Sequence, residues 1–486
     1  MRIAQINVTS NLSTGRIANE LCRICNENGN QTLLCYARGP KPLNQVSYRL
    51  GSGSLRNKAE GSMAVYYSRK MINHIRTAIH KPPLKPLRHR IVQSSQNEKA
   101  NNSVLRNRIN TNLHVITTRL FDRPGFVKTP FIVRQTLKLV ENLESFKPDV
   151  IHLHNIHGYY LYLPVLFEYL KQSQIPVVWT LHDCWSYTGH CAYYSMVKAD
   201  SLDEAGCTRW KNGCYHCPQI HNYPSSWFVD NSKNNWEEKK ALFTGLPYLI
   251  PVVPSTWLFN EAAESFWKPY LSRMQVIPSG IDLKQFHAIE NGEIVFEILK
   301  KYGVNFTEQR FLLLSVAAVW EKRKGIEDLI ELSQKLGKNY HIVCIGLDDS
   351  QINAVPKNTI TALPRTESVD ELCAFYTAAD LYISASYEET QGMTLVEALA
   401  CGTQVLCYQA TALPEVVTEA VGCTVAVGDI EALADAAVDM CDNPKSSDAC
   451  LRRAQQYDAS RCFRRYLELY QSMYRYSPHY RESESV

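Results

Sequence analysis

The chain has 486 residues, 45% of them hydrophobic and 21% charged, with a formal net charge of +4. This length is too great for one ordinary core and predicts two domains. The composition is that of a globular protein, no apolar run approaches the ~18 residues of a membrane-spanning helix, and the small net charge gives no indication of nucleic-acid binding.

The first residues, Met1 to Val8, have the pattern of a buried strand and not that of a basic, apolar secretory leader. We therefore expect a cytoplasmic protein. Sixteen cysteines are spread along the whole chain. Without a leader, this distribution predicts buried thiols or metal ligands in place of disulfides.

Short apolar runs alternate with helical patterns through the first 280 residues. Such alternation predicts a parallel sheet whose carboxyl edge binds ligands. Gly15 and Arg16 follow the first run and are predicted on the acceptor side of a site, although an ordinary helix start explains them equally well. The runs predicted as strands are 3–8, 32–36, 113–116, 150–153, 177–181 and 249–253.

Residues 69–110 form a basic excursion with ten Lys or Arg side chains and one acid, Glu98. One interpretation is a patch for anionic lipid headgroups, because each basic residue near such a surface contributes about 1 kcal/mol. A solvated loop is the equal alternative. No aromatic platform accompanies the charge, so a nucleic-acid groove ranks well behind both.

A Cys-rich lobe is predicted at residues 184–218. Cys191, Cys207, Cys214 and Cys217 lie within 27 residues and end in Cys-x2-Cys. Four thiolates suit a tetrahedral structural zinc, but the first spacings are not those of a zinc ribbon. A zinc site and buried free thiols therefore stay equal alternatives.

The second half repeats the alternation, with apolar runs at 311–316, 341–346, 359–361, 379–384 and 404–407. These runs predict a second open parallel sheet. We place the boundary between the domains at residues 284 and 285. The last helical pattern runs from about Asp448 to Tyr476.

The most specific motif is the stretch from Ser386 to Gly402, in which a Gly-bearing loop joins a strand to a helix. The free amides of a helix start and its dipole favour a diphosphate, and the predicted donor-binding amides are those of Gln391, Gly392, Met393 and Thr394. Glu389 precedes this point and is predicted to face a sugar. Glu397 lies about 6 Å further along the helix axis and is predicted to hold ribose hydroxyls.

Basic residues follow the first strand of the second half. Lys324, with Arg323 beside it, would lie at the carboxyl edge near Glu389 and could neutralise a diphosphate. The alternative is an ordinary solvated turn. The predicted position beside Glu389 and Glu397 makes this alternative the weaker one.

His182 and Asp183 end the strand at 177–181, at the ligand-facing edge of the first sheet. His152, His154 and His157 end the preceding strand and could line the same cleft. Strand alternation places His152 and His154 on one side. His154 and Asp183 are therefore predicted on the acceptor side. A metal held by the three histidines is the weaker alternative, since no carboxylate lies at a usual spacing.

Glu389-x7-Glu397 followed by Ala398 to Gly402 resembles the signature of glycosyltransferase family 4. The segment from Trp179 to Cys191 is similar to bacterial enzymes of colanic-acid and exopolysaccharide assembly. The resemblance implies an α/β protein with two facing Rossmann-like domains, the GT-B fold, and a C-terminal helix crossing back to the first domain. The expected divisions are residues 1–284, 285–463 and 464–486. This sequence departs from the family at Val319, where an arginine is usual.

The same resemblance implies a retaining glycosyltransferase that uses a UDP- or GDP-sugar, with His182 and Glu389 as catalytic residues. The chain contains no Asp-x-Asp pair, so we expect catalysis without a metal cofactor. The expected acceptor is a lipid-linked oligosaccharide at the inner membrane face, with peripheral attachment to that membrane. A nucleotide-sugar epimerase of the same architecture and a non-catalytic nucleotide or carbohydrate sensor are the alternatives.

Overall fold

The protein is described here by a computed structural model that covers residues 1–42, 45–50, 96–196, 206–304 and 311–480. Residues 69–95 of the basic excursion, and the side chains of residues 96–108, lie outside the described residues. Within the described ranges, no helix combines the length and the apolar character that crossing a membrane requires.

The first domain is built on a seven-stranded parallel sheet of order β3-β2-β1-β4-β5-β6-β7. Its strands are β1 Arg2–Thr9, β2 Gln31–Arg38, β3 Ser47–Arg49, β4 Val150–Leu153, β5 Val177–Thr180, β6 Leu249–Val253 and β7 Gln275–Val276. Its helices are α1 Leu12–Glu27, α2 Gln96–Phe121, α3 Pro130–Phe146, α4 Leu163–Ser173, α5 Ser232–Phe243 and α6 Thr256–Ala263.

The second domain is built on a six-stranded parallel sheet of order β10-β9-β8-β11-β12-β13. Its strands are β8 Phe311–Val316, β9 Tyr340–Ile345, β10 Ile360–Leu363, β11 Leu381–Ser384, β12 Val405–Tyr408 and β13 Gly422–Val425. Its helices are α7 Gly292–Lys301, α8 Ile326–Lys335, α9 Asp349–Ala354, α10 Val369–Ala378, α11 Met393–Ala400, α12 Ile430–Asp442 and α13 Ser447–Ala454.

Both sheets confirm the predicted doubly wound architecture. All residues of β4, β5 and β11 are buried, as expected of strands covered by helices on both faces. The strand order reverses between β1 and β4 in the first sheet and between β8 and β11 in the second. Ligands bind outside the carboxyl ends of the strands at such a reversal, which is where the predicted site residues lie.

One predicted strand is wrong. The run at 113–116 lies inside α2, a helix of 26 residues. The burial of this run is not that of a core strand, because the polar His114 is buried whereas Leu113 and Ile116 are exposed. A four-residue apolar run does not distinguish a strand from part of a helix. The short edge strands β3 and β13 were not predicted.

The final helical pattern is divided in two. After α13, Asp458 caps the last helix, α14 Ala459–Tyr474, by accepting a hydrogen bond from the Ser460 N–H at 2.8 Å. Phe463, Tyr466 and Tyr470 of α14 pack in one cluster with α1, β4 and β5 of the first domain. Each buried aromatic ring contributes roughly 1.5–3 kcal/mol, so this packing holds the chain end against the first domain, as predicted. The helix begins ahead of the predicted boundary at residue 464.

Candidate functional site

A cleft of about 350 Å³ lies between the carboxyl edges of the two sheets. The first domain contributes residues from β1, α1 and the loops after β4 and β5, and the second contributes the loops after β8 and β11. We call this space the interdomain cleft. Of the predicted residues, its lining includes Arg16, His182, Asp183, Arg323, Lys324, Glu389, Gln391, Gly392, Met393, Thr394 and Glu397.

Lys324 and Glu389 form an ion pair on the second-domain side of the cleft. Lys324 ends a short turn that Gly325 closes in the left-handed region, at φ 69°, with its Cα against the Ala385 carbonyl. A Cβ there would lie only 2.1 Å from that oxygen, so only glycine allows the two loops to meet. Burial opposes ionisation of Glu389, but Lys324 and Arg323 outweigh it and lower the pKa of Glu389. Glu389 is therefore an ionised carboxylate facing the cleft.

The start of α11 lies between the two glutamates, as predicted. Gly392 precedes the helix at φ 83°, where a Cβ would meet the Leu413 side chain at 2.6 Å. The first amides of a helix have no acceptor within it, and they carry the positive end of the dipole. Gly392, Met393 and Thr394 therefore present donors to the cleft beside Lys324.

Glu397 lies inside α11 and is 3% exposed. Its Oε2 accepts a hydrogen bond from Tyr376 at 3.0 Å, and its Oε1 lies 3.4 Å from Arg16 Nη2 of the first domain. Burial raises the pKa of Glu397, and Arg16 and Tyr376 reduce that rise. A second cavity, of about 1030 Å³, meets the interdomain cleft at this pair of residues.

His182 lies at the opposite wall, with its Nε2 3.0 Å from His154 Nδ1. Burial lowers the pKa of His182 to about 4, so its ring is neutral at pH 7. The main-chain carbonyl of His182 accepts a hydrogen bond from Thr390 Oγ1 at 3.0 Å, which ties this wall to the second domain.

His154 was predicted to line the cleft on the acceptor side, and this prediction is wrong. The side chain is 1% exposed and lies behind His182, between that ring and Gln5. Strand alternation placed it on the correct face beside His152, but alternation carries no information on depth from the sheet edge.

Asp183, in contrast, reaches the cleft. Its Oδ2 lies 2.7 Å from His157 Nε2, and its Oδ1 accepts a hydrogen bond from the Trp185 N–H at 2.9 Å. Burial opposes ionisation, but these contacts outweigh it and lower the pKa of Asp183. The loop histidine His157 therefore orients an ionised carboxylate and does not line the cleft itself.

Arg323 is anchored by groups that the sequence did not reveal. Its guanidinium lies over the Tyr193 ring, 4.3 Å from the ring centre, and donates to the Glu388 carbonyl at 2.9 Å. The Glu388 carboxylate in turn accepts a hydrogen bond from the Met196 N–H at 3.0 Å. The Cys-rich lobe thus packs directly against the loop that carries Glu389.

Gln391 contributes its main chain and not its side chain to the cleft. Its side-chain amide is held by the main chain of Ser279, accepting from the Ser279 N–H at 2.6 Å and donating to the Ser279 carbonyl at 2.8 Å. The pair joins the two domains across the floor of the cleft. Both contacts use only main-chain atoms of residue 279, so they do not depend on the side chain at that position.

The four cysteines of the predicted zinc site line one small cavity of about 10 Å³. Among the described residues, however, no group of three or more His, Cys, Asp or Glu is placed so that it could hold a metal ion. Burial raises the pKa of Cys214 and of Cys217 to about 12 and that of Cys191 well above its ordinary value. A structural zinc and free thiols therefore stay the two alternative interpretations of these four cysteines.

Two family descriptions match this chain. Residues 88–285 match Glycosyltransferase Family 4, and residues 299–457 match Glycosyl transferases group 1. Together they include more than half of the 486 residues and every residue proposed above for the second-domain wall.

Curated relatives resemble parts of the chain. WcaC of Escherichia coli K12, assigned to colanic acid biosynthesis as a glycosyl transferase, is 31% identical over 28% of this chain and 32% of its own length. The alpha-monoglucosyldiacylglycerol synthase of Acholeplasma laidlawii is 26% identical over 58% of this chain and 63% of its own. The chain thus spans less than two thirds of the length of these relatives.

Solved structures share the fold over almost the full length. A glycosyltransferase from Rickettsia africae superimposes with a TM-score of 0.58 at 14% identity, covering 97% of this chain and 98% of that one. HepE of Anabaena, solved with UDP and glucose, gives a TM-score of 0.57 at 14% identity, covering 97% of this chain and 100% of that one. With its two parallel sheets, its matched domains and its cleft, the chain belongs to the glycosyltransferases, as a Family 4 domain followed by a group 1 domain.

Proposed function

We propose that the protein is a retaining glycosyltransferase that binds a UDP- or GDP-sugar in the interdomain cleft and transfers the sugar to a lipid-linked or oligosaccharide acceptor. The observation that carries the proposal is the order of groups along the second-domain wall. Ionised Glu389 comes first, followed by Lys324 with the start of α11, and then buried Glu397. This order suits sugar, diphosphate and ribose in turn.

The diphosphate would be bound by the Gly392, Met393 and Thr394 amides together with Lys324. Lys324 is paired with Glu389 in the present structure. A bound diphosphate would compete for the ammonium group, and the freed Glu389 carboxylate would accept hydrogen bonds from sugar hydroxyls. The nucleoside would lie beyond, with its ribose at Glu397 and its base towards the larger cavity.

Catalysis would rest on stabilisation of the leaving group. As the bond from the anomeric carbon to the phosphate oxygen breaks, negative charge grows on the diphosphate beside Lys324, Arg323 and the helix start. The acceptor oxygen would attack from the same face, and its proton would pass to the departing phosphate oxygen. His182 and Glu389 would contact the sugar during this step. The protein cations supply the charge, so we expect activity in the presence of EDTA.

The acceptor is proposed from the exposed surface of the first domain. Along α2 the apolar side chains Ile109, Leu113 and Ile116 share one outward face, at i, i+4 and i+7. The Phe228 side chain is 79% exposed in a loop whose Trp227 N–H donates to the Arg119 carbonyl near the end of the same helix. In the sequence, these apolar residues of α2 directly follow the basic residues between positions 69 and 108. Apolar side chains next to basic ones suit an anionic membrane.

Product analysis tests the transferase proposal against its alternatives. The protein is incubated with UDP- and GDP-sugars and a lipid-linked acceptor extract, with EDTA present, and NMR reads the anomeric configuration of the product. A glycoside with the donor's configuration, together with free nucleoside diphosphate, supports a retaining transferase. An isomerised sugar without a glycoside would indicate an epimerase, nucleotide binding without turnover would indicate a sensor, and an inverted glycoside would exclude retention.

Vesicle sedimentation tests the acceptor surface separately. Binding to anionic vesicles should exceed binding to neutral ones and should weaken with salt. Phe228→Ser should reduce that binding, whereas Phe296→Ser, at an exposed phenylalanine of α7 in the second domain, should not. Equal binding to both vesicle types would overturn the membrane proposal and leave the transferase proposal standing.

A further inference from the structure

A row of buried polar side chains runs behind His182 to the last helix. Gln5 lies on β1, and His152 and His154 lie at the end of the neighbouring strand β4. Each of these three side chains is at most 1% exposed. Gln5 lies opposite His152 in the register of these strands. Polar groups in such a core are costly unless they are hydrogen-bonded, so the partners of each atom determine where the protons lie.

The amide of Gln5 sets the order of this row. Its Nε2 donates to the Tyr470 hydroxyl of α14 at 3.3 Å, so its Oε1 faces His154 Nε2 at 2.7 Å. A carbonyl oxygen only accepts, and therefore His154 carries a proton on Nε2. Burial lowers the pKa of His154 well below its ordinary value, so its ring is neutral and its Nδ1 is bare.

The bare Nδ1 of His154 lies 3.0 Å from His182 Nε2, and so His182 must donate. Since His182 is also neutral, its own Nδ1 carries no proton. Among the described residues, no hydrogen bond reaches that atom. His182 lines the interdomain cleft, so a ligand there meets it as an acceptor.

A second chain of hydrogen bonds starts at the Tyr470 hydroxyl. Tyr470 accepts from Gln5, so its own proton goes to His152 Nδ1 at 2.5 Å. His152 Nε2 then donates to Thr180 Oγ1 at 2.8 Å, and Thr180 Oγ1 lies 2.9 Å from the Tyr466 hydroxyl. Tyr470 belongs to both chains of hydrogen bonds, whereas Tyr466 ends the one that does not contain His182.

We infer that Gln5 and His154, set by Tyr470 of the last helix, are positioning residues that hold His182 with its proton on Nε2, so that Nδ1 accepts a hydrogen bond from a hydroxyl of the donor sugar. The last helix thereby acts on the chemistry of the cleft without reaching it. The tautomer follows from the hydrogen bonds and from the neutral state of both buried rings, whereas the role of Nδ1 rests on the proposed function.

The test is nitrogen NMR of the full-length protein labelled with ¹⁵N-histidine, with the His182 signals assigned by their loss in His182→Gln. The wild type should show a protonated Nε2 and a bare Nδ1 without any donor. Gln5→Met and Tyr470→Phe should each produce a mixture of tautomers and weaken binding of the donor found by product analysis about 3- to 10-fold, the loss of one hydrogen bond. Tyr466→Phe, the matched control, should leave tautomer and affinity unchanged.

Each failure has its own signature. A proton on His182 Nδ1 in the wild type would show that the Gln5 amide is reversed and would overturn the inference. An unchanged His182 tautomer in a folded Gln5→Met and a folded Tyr470→Phe would also overturn it. The predicted wild-type tautomer in a protein that binds no nucleotide sugar would confirm the hydrogen-bond order, and it would overturn the role of Nδ1 together with the proposed function.

Discussion

Arg16 Nη2 of α1 lies 3.4 Å from Glu397 Oε1 of α11, so a cation of the first domain partners the buried carboxylate of the second. The two residues are 381 positions apart in the chain. The charge around the site proposed for ribose therefore depends on how closely the two domains meet. A bound nucleoside would have to share or replace this contact.

Removal of the cation should destabilise the protein. Arg16→Met leaves the Glu397 carboxylate with Tyr376 as its remaining partner, and we expect the free energy of unfolding to fall by about 1–2 kcal/mol. Half of the Arg16 side chain is exposed, so solvent screens the pair and keeps the loss below that of a fully buried one. Urea unfolding measures it.

The control lies on the same helix. Arg23→Met removes an exposed arginine that pairs with Glu20 and Glu27, and it should cost less than about 0.5 kcal/mol. Equal losses for the two variants would contradict the special role of the Arg16–Glu397 contact.

Stability should fall as the pH is lowered from about 6.5 to 4. Burial lowers the pKa of His182 to about 4, whereas the unfolded chain titrates near its ordinary value of about 6.5. Between these values the unfolded state binds a proton that the folded state does not, so stability is full above 6.5 and is lost towards 4, by up to about 3 kcal/mol.

The same titration with His182→Gln isolates this residue. Its stability curve should be shallower than that of the wild type between pH 6.5 and 4, since one proton fewer is taken up on unfolding. Superimposable slopes would show that His182 is not held neutral by burial.

Loss of the Gln391 side-chain amide should lower the stability of the protein more than a change of the side chain at residue 279. Gln391→Leu removes both hydrogen bonds to the Ser279 main chain, leaving two buried main-chain groups unpaired, and should reduce stability by about 2 kcal/mol. Ser279→Ala keeps both bonds and should change it by less than about 0.5 kcal/mol. Thermal unfolding compares them, and a larger effect of Ser279→Ala would show that its hydroxyl matters.

Restoring the family's arginine should strengthen diphosphate binding. Val319 lines the cleft with more than half of its side chain exposed, so an arginine fits there without disturbing the core. Val319→Arg should raise affinity for the cognate nucleoside diphosphate about 3- to 10-fold through a charge-assisted contact. Val319→Gln, of similar length but uncharged, should not, and an equal gain would exclude charge as the cause.

The sequence predicted the parts of the site that are fixed by strand ends. Apolar runs mark where β8 and β11 stop, and the carboxyl ends of parallel strands meet at one edge, so Lys324 and Glu389 could be brought together correctly. Gly402, which ends the motif, lies just beyond the last residue of α11, Ala400.

The remaining errors and omissions concern contacts that no local pattern specifies. The pairing of Arg16 with Glu397 and of Gln391 with Ser279 depends on how the two domains meet. The depth of His154 depends on the loop that covers it, and the outward apolar face of α2 is the reverse of what a core pattern predicts. Cysteine spacing alone could not distinguish a metal site from buried thiols.

Calorimetric titration with UDP and GDP tests the central claim of a nucleotide site in the interdomain cleft most directly. The wild type should bind one of the two, Glu397→Gln should bind it at least about tenfold more weakly, and Glu419→Gln, at an exposed carboxylate of the same domain, should bind as the wild type does. Absence of binding of either nucleotide, or equal binding by Glu397→Gln, would contradict the claim.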